Sequence, residues 1–245
     1  MLAKPDFPSG VCFGHNYVAM QVESRDSMSL KPAELDEFGL VLKSAGVTLK
    51  DEELDHQIEQ FPLVVVVTVE GDLQSFMFGS LERIGGTPSI LWGLGTARKG
   101  RNAAGALKLM TAELARRAAI SFPDEDVLVA TRLAHPAAYT LLASYANVVP
   151  RPAYNPSGEE RAWGRRLAKR FGYDGHFDDR TFRIKVGGRR PPFVPVLDAA
   201  PVKATGGAKV VQLVGTHDPS RGEAMIAFGW AVAEALAAGA FNAAS

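Results

Sequence analysis

The sequence is poor in cysteine, in net charge and in long apolar runs, and each shortage excludes something. Cys12 is the one cysteine, so no intramolecular disulfide forms, and a reducing, cytoplasmic setting is expected. The 27 basic and 27 acidic side chains cancel, which removes the overall electrostatic drive toward nucleic acid or an anionic membrane. The longest apolar run, Met225 to Phe241, is broken by Glu234 and consists largely of alanine and glycine, well short of the roughly 20 strongly apolar residues of a membrane span. Near the N-terminus, Asp6, His15 and Glu23 stand where a secretory leader needs a basic start and an apolar middle, so no leader is read there. Gly-x-x-x-x-Gly-Lys-Ser/Thr, Gly-x-Gly-x-x-Gly and Gly-x-Ser-x-Gly are all missing, which argues against a nucleoside triphosphatase, a Rossmann dinucleotide site and a serine hydrolase. What is present is 245 residues at 47% apolar content, enough for one sizeable core.

Periodicity predicts a first strand through Val18, Met20 and Val22, ending at Ser24-Arg25-Asp26. Two helices follow, one from about Pro32 to Ser44 that stops at Gly46, the other opened by a capping box at Thr48-Leu49-Lys50-Asp51 and closed by Pro62. Strands are expected at Leu63–Val69, Ser75–Ile84 and Ser89–Gly95, joined by turns at Glu70-Gly71-Asp72 and Gly85-Gly86-Thr87-Pro88. A helix striped by Leu107, Met110, Leu114 and Ala118 precedes a strand at Asp126–Thr131 and a short helix from Pro136 to about Tyr145. Ser157-Gly158-Glu159-Glu160 caps another helix, with Trp163, Leu167 and Phe171 as its apolar stripe, and Thr181–Val186 alternates as a strand. Gly187 to Pro192 marks a boundary. The expected division is a domain over residues 1–190 and a strand-helix extension over 191–245, with a strand at Lys209–Val214 and an alanine-rich helix from Glu223 to about Ala238. Phe228, Trp230, Val232 and Leu236 of that extension need cover, from the chain's own sheet or from a second copy in a homodimer.

The stretch from Thr96 to Gly105 is basic, small and free of carboxylates, and it leaves a strand to open a helix. Unsatisfied N–H groups at the positive end of a helix dipole make an anion site. Arg98, Lys99 and Arg101 add charge, while Ala103, Ala104 and Gly105 let a phosphate approach the backbone closely. Other clusters point less far. Asp174, His176, Asp178 and Asp179 match no known metal spacing, so no metal is expected. Arg161, Arg165, Arg166, Lys169 and Arg170 form a basic helical face, open to solvent, to an acidic partner or to a cofactor phosphate. His217-Asp218 reads as a cap.

The run Leu94-Gly95-Thr96-Ala97-Arg98-Lys99-Gly100-Arg101-Asn102-Ala103-Ala104-Gly105-Ala106-Leu107 resembles the pyrophosphate loop of the GCN5-related N-acetyltransferase (GNAT) superfamily. Lys99 takes the leading basic position, Asn102 replaces a glycine and Ala104 meets a Gly/Ala position; a second register starts at Arg101 and puts Ala104 and Ala106 on the small positions. Ala130 to Tyr139 is similar to the end of that family's fifth strand and its pantetheine-side helix, with His135 where Asn is frequent. The resemblance spans roughly residues 15–186 in element order. It implies an α/β fold with a mixed, mainly antiparallel sheet flanked by helices, whose fourth and fifth strands splay to admit acyl-pantetheine. It further implies acetyl-CoA or another acyl-CoA as co-substrate, and direct transfer to a small-molecule amine in a ternary complex.

Leu91 to Gly95 would then supply backbone to the pantetheine. The expected cofactor-binding set is Leu94, Thr96, Lys99, Gly100, Arg101, Asn102, Ala103, Ala104, Gly105 and His135. The tyrosine that the family often uses as acid falls on Leu142, which leaves Tyr139 or Tyr145 as substitutes, and Glu82 or His135 as the base. The alternative is a GNAT-like protein that binds ligand or partner without turnover.

Overall fold

The computed structural model describes residues 19–47, 49, 51–185, 207–215 and 217–241. Cys12, Thr48, Lys50 and the boundary at 187–192 lie outside the described residues. Strand β1 (Met20–Asp26) pairs antiparallel with β2 (Leu63–Val69), β2 with β3 (Asp72–Ile84), and β3 with β4 (Thr87–Ala97). Both hairpin turns place two successive residues at positive φ, Glu70 at 53° with Gly71 at 90° and Gly85 at 59° with Gly86 at 90°, the twist that matches flanking strands. Between β1 and β2 run α1 (Pro32–Ala45), opened by Pro32 and closed by Gly46 in the left-handed region, and α2 (Asp51–Gln60).

Helix α3 (Ala103–Ser121) carries the chain to β5 (Val127–Leu133), which lies parallel to β4. Then come α4 (Pro136–Leu142), β6 (Ala146–Val149), α5 (Gly158–Arg170), β7 (Phe177–Asp178), β8 (Arg183–Ile184), α6 (Gly207–Val214), β9 (Ala224–Ala231) and α7 (Ala233–Ala237). Among the described residues these strands form one sheet in the order β1-β2-β3-β4-β5-β9-β8-β7, with β6 also paired to β9. The expected mixed, mainly antiparallel sheet flanked by helices is therefore present.

Each face of the sheet has its own helices. On one, Phe38 of α1 stacks on Phe76 at 4.1 Å and meets Phe78 edge-on at 6.1 Å. Each such buried ring contributes on the order of 2–3 kcal/mol. The same face receives Phe61, at the end of α2, and α5, whose Trp163 sets its ring edge-on to Trp230 at 6.0 Å. The other face holds α3, packed so closely that a Cβ on Gly79 would lie 2.9 Å from Leu114. Tyr145 lies between Trp92 and Phe241 beside it.

The C-terminal part differs most from expectation. Lys209–Val214 is helical, because Val210, Leu213 and Val214 fall on one side of a 3.6-residue period while Val211 is exposed. The helix expected from Glu223 is instead β9, with only Ala233–Ala237 helical beyond it. Its glycine serves close approach, since a Cβ on Gly229 would lie 3.0 Å from Tyr145 Cβ and 3.1 Å from Val148 Cγ2. The strand is buried on both faces between β5 and β8, so its apolar residues complete the sheet and need no partner subunit for cover. The expected boundary at residue 190 thus separates two stretches of sequence that share one sheet. Of the strand expected at Thr181–Val186, Val186 lies outside the described residues; within 181–185, Phe182 turns at φ 59° and Arg183–Ile184 pair. No helix of the described residues is long and apolar enough to cross a membrane.

Candidate functional site

Pairing between β4 and β5 runs from Ser89 opposite Leu128 to Trp92 opposite Thr131 and stops there. Both strands continue, β4 to Ala97 and β5 to Leu133, so they splay. At the same level β4 bulges, because Gly79 faces Trp92 while Met77 faces Gly95. The bulge is built on glycine. A Cβ on Gly93 would lie 3.1 Å from the Phe61 ring and 3.1 Å from the Phe78 carbonyl oxygen, and one on Gly95 would lie 2.8 Å from Met77 Cβ.

Three polar groups mark the opening. The Leu94 N–H donates to Gln57 Oε1 at 3.2 Å, with Gln57 reaching in, buried, from α2. Trp92 Nε1 and Thr96 Oγ1 are buried with no hydrogen-bond partner among the described residues. Such orphans are uncommon in folded proteins and call for a ligand or water.

Strand β4 takes in Thr96 and Ala97, so the loop to α3 is shorter than expected and runs from Arg98 to Asn102. Arg98 belongs to the scaffold, its Nε donating to the Leu73 carbonyl at 2.8 Å and its N–H to that of Gln74 at 2.8 Å. Lys99, Gly100 and Arg101 are exposed. Asn102 gives no side-chain cap, leaving the first turn of α3 uncapped by side chains at its positive end. Ala103 is buried beneath that turn, whereas Ala104 is exposed on it and Gly105 half-buried.

The expected catalytic residues are less well placed. Glu82 pairs with Ser89, four residues before Gly93, hence roughly 13 Å along the strand from the bulge. Arg170 clamps its carboxylate from Nε and Nη2, both at 2.8 Å, and Ser80 donates to it at 2.6 Å. Burial pushes the Glu82 carboxyl up, but those hydrogen bonds and the Arg170 charge outweigh it and hold the group below its ordinary range. The ion pair fastens α5 to β3. Lowered in the folded state, such a carboxylate stabilises the protein above the ordinary value of 4.5, and the contribution fades as the pH falls through the folded value. Glu82→Gln is therefore expected to lose about 2 kcal/mol near neutral pH and progressively less in acid, read from urea unfolding at both. An equal loss at both pH values would sink the ion-pair assignment.

Neither tyrosine is poised as an acid. The Tyr139 hydroxyl donates to the Pro150 carbonyl at 2.7 Å, and burial raises its pKa despite Arg151. Tyr145 lies past the end of α4, stacked on Phe241 at 4.5 Å, and burial pushes its pKa far up. Leu142 is fully buried. His135 stands at the end of β5, half-buried, as the N-cap of α4, with Nδ1 accepting the Ala137 N–H at 3.2 Å. In its neutral form the proton thus lies on Nε2.

One residue at the opening escaped the expectations. Arg132 follows Thr131 directly and is wholly buried; among the described residues no group meets hydrogen-bond geometry with its guanidinium nitrogens, and the Tyr173 hydroxyl beside it interacts with it more loosely. It lies over the rings of Phe171, at 4.4 Å, and Phe61, at 5.5 Å. Burial lowers its pKa to about 10, partly offset by the nearby Tyr173 hydroxyl. A buried cation without a counterion costs several kcal/mol as an order of magnitude.

The acidic cluster after α5 is spent locally. Asp178 accepts from the Arg180 N–H at 2.9 Å and from Thr181 Oγ1 at 2.8 Å, and Asp179 pairs with Arg165. Two cavities lie away from the opening, one of about 330 Å³ beside Trp163 and Trp230, the other of about 360 Å³ beside Arg165 and Asp178.

No protein-family model matches the chain, and no curated protein sequence does. Among solved structures, an aminoglycoside acetyltransferase from an uncultured soil metagenomic sample is similar at 12% identity, over 45% of this chain and 76% of that one, with a TM-score of 0.34. A GNAT-family acetyltransferase from Brucella melitensis, solved with acetyl-CoA, is similar at 14% identity over 44% and 75%, with a TM-score of 0.32. The ribosomal-protein-S18-alanine N-acetyltransferase from Escherichia coli is similar at 14% identity over 57% and 86%, with a TM-score of 0.37. In fold, the chain resembles the GNAT superfamily. That likeness stands on the strand order, the parallel β4–β5 pair and its splay, which these partial overlaps accompany.

Proposed function

We propose that the chain is an acyl-CoA-dependent N-acyltransferase that transfers an acyl group, acetyl in the simplest case, to a small-molecule amine by direct attack in a ternary complex. The observation that carries this reading is the splay of β4 from β5 immediately before a carboxylate-free loop that opens α3. Pyrophosphate would rest on the first turn of α3, between Lys99 and Arg101, and the pantetheine arm would follow Gly93 to Ala97. Trp92 Nε1, just before that stretch, and Thr96 Oγ1, on it, are polar groups with no partner among the described residues. The thioester oxygen would replace Gln57 Oε1 as acceptor of the Leu94 N–H, which stabilises the tetrahedral oxyanion. As the C–N bond forms and the C–S bond breaks, the amine's proton goes to a base and the thiolate departs. With Glu82 in its ion pair, His135 is the group assigned that proton, exchanging its 3.2 Å capping bond for it.

A second reading, ligand binding without turnover, is favoured by Leu142 at the usual acid position and by Gln57 already holding the Leu94 N–H. Calorimetric titration with CoA, acetyl-CoA and a longer acyl-CoA, followed by thiol release over an amine panel, separates the two. Micromolar binding with thiol release supports transfer, and binding with no release supports the second reading. Absence of binding to all three overturns both.

A further inference from the structure

A guanidinium presents five N–H donors in a flat fork, and the ring faces of Phe61 and Phe171 attract its charge without offering those donors a lone pair. Arg132 is wholly buried in this state, while its neighbour Arg170 already holds Glu82 and its neighbour Tyr173, itself acted on by the Glu53 charge, offers one loosely placed hydroxyl oxygen to a five-donor fork and forms no ion pair with it. Its position is specific. Thr131 is the last β5 residue paired to β4, so Arg132 stands at the first step of the opening. It lies over the same Phe61 ring that abuts the missing Cβ of Gly93, one residue before Leu94. An apolar side chain would fill this place without leaving donors unmet.

We propose that Arg132 anchors a carboxylate brought beside the reacting carbonyl, so that one of the two substrates is a small carboxylic acid. This deepens the acyl-transfer reading and rests on it. A planar carboxylate matches the fork with two parallel hydrogen bonds and supplies the missing counterion. Arg132 is thus a specificity-determining residue, and the substrate class is either an amine that also carries a carboxylate or an acyl-CoA whose acyl chain ends in one.

Two calorimetric arms distinguish these sources. In the first, succinyl-CoA and butyryl-CoA are each titrated into the protein; in the second, a set of amino acids and their carboxamides is titrated into protein saturated with CoA. A preference of at least tenfold for the charged member is expected in one arm, and that arm names the source. Arg132→Met is expected to reduce the preference below twofold, with Arg132→Lys keeping part of it. If neither variant folds, the comparison in the unaltered protein still decides. Butyryl-CoA binding with no charge preference in either arm overturns the carboxylate anchor alone. Failure of every CoA compound to bind overturns the acyl-transfer reading and the anchor with it.

Discussion

A chain ending at residue 222 is expected to yield no soluble folded protein. Such a chain keeps every element through α6, yet it loses β9, against which β5 pairs along its whole length from Val127–Ala231 to Leu133–Met225. The loss leaves a buried strand with an open edge in the middle of the sheet and detaches β6 and β8, which also pair with β9. It removes the buried Met225, Ile226 and Phe228 besides. A stability of about 5–15 kcal/mol does not survive that. A graded version is Phe228→Ala, expected to cost about 3–5 kcal/mol in urea unfolding, because the ring is buried against Phe182. A truncated chain that stays soluble with the melting temperature of the full one would remove β9 from the sheet.

The second large effect concerns ligand rather than stability. Ala104→Glu places a carboxylate on the exposed first turn of α3, where the helix dipole favours negative charge by about 0.3–1 kcal/mol. The folded protein should therefore melt at the same temperature or slightly higher. The same carboxylate occupies the place proposed for pyrophosphate and repels it, so CoA affinity is expected to fall at least tenfold by calorimetry. Opposite signs for stability and binding are the signature. Unchanged CoA affinity in the folded variant would move the phosphate site away from this turn.

The first half of the fold was legible because its signals are local. Strands β2 and β3 are bounded by turn residues, α1 carries its own Pro32 start and Gly46 stop, and α5 has the capping box Ser157–Glu160 written four residues wide. Strand β9 carries no such mark: buried on both faces, it reads as an apolar run without period whose alanines speak for a helix, and only Gly229, where Tyr145 and Val148 need the space, has a strand reason to be small. The carboxylate-free loop was legible as one stretch of small and basic residues, whereas the splay was expected only through the family resemblance. Glu82 was not, since its partner Arg170 lies 88 residues away and no pattern in either segment announces the other. Gln57 was hidden in a helix with an otherwise polar sequence. Arg132 did leave a trace, as the one charged side chain in the apolar run from Val127 to Leu133.

The place of β9 also sets the timing of biosynthesis. A strand near the centre of the sheet is the last one made among the described strands, and between Leu133 and Ala224 the ribosome adds roughly 90 residues, about 5–20 s of elongation. Throughout that interval the nascent chain carries β5 with an unfilled edge, next to the same splay that opens on its other side. The pairings that close the sheet are distant in sequence, the kind of topology that folds slowly.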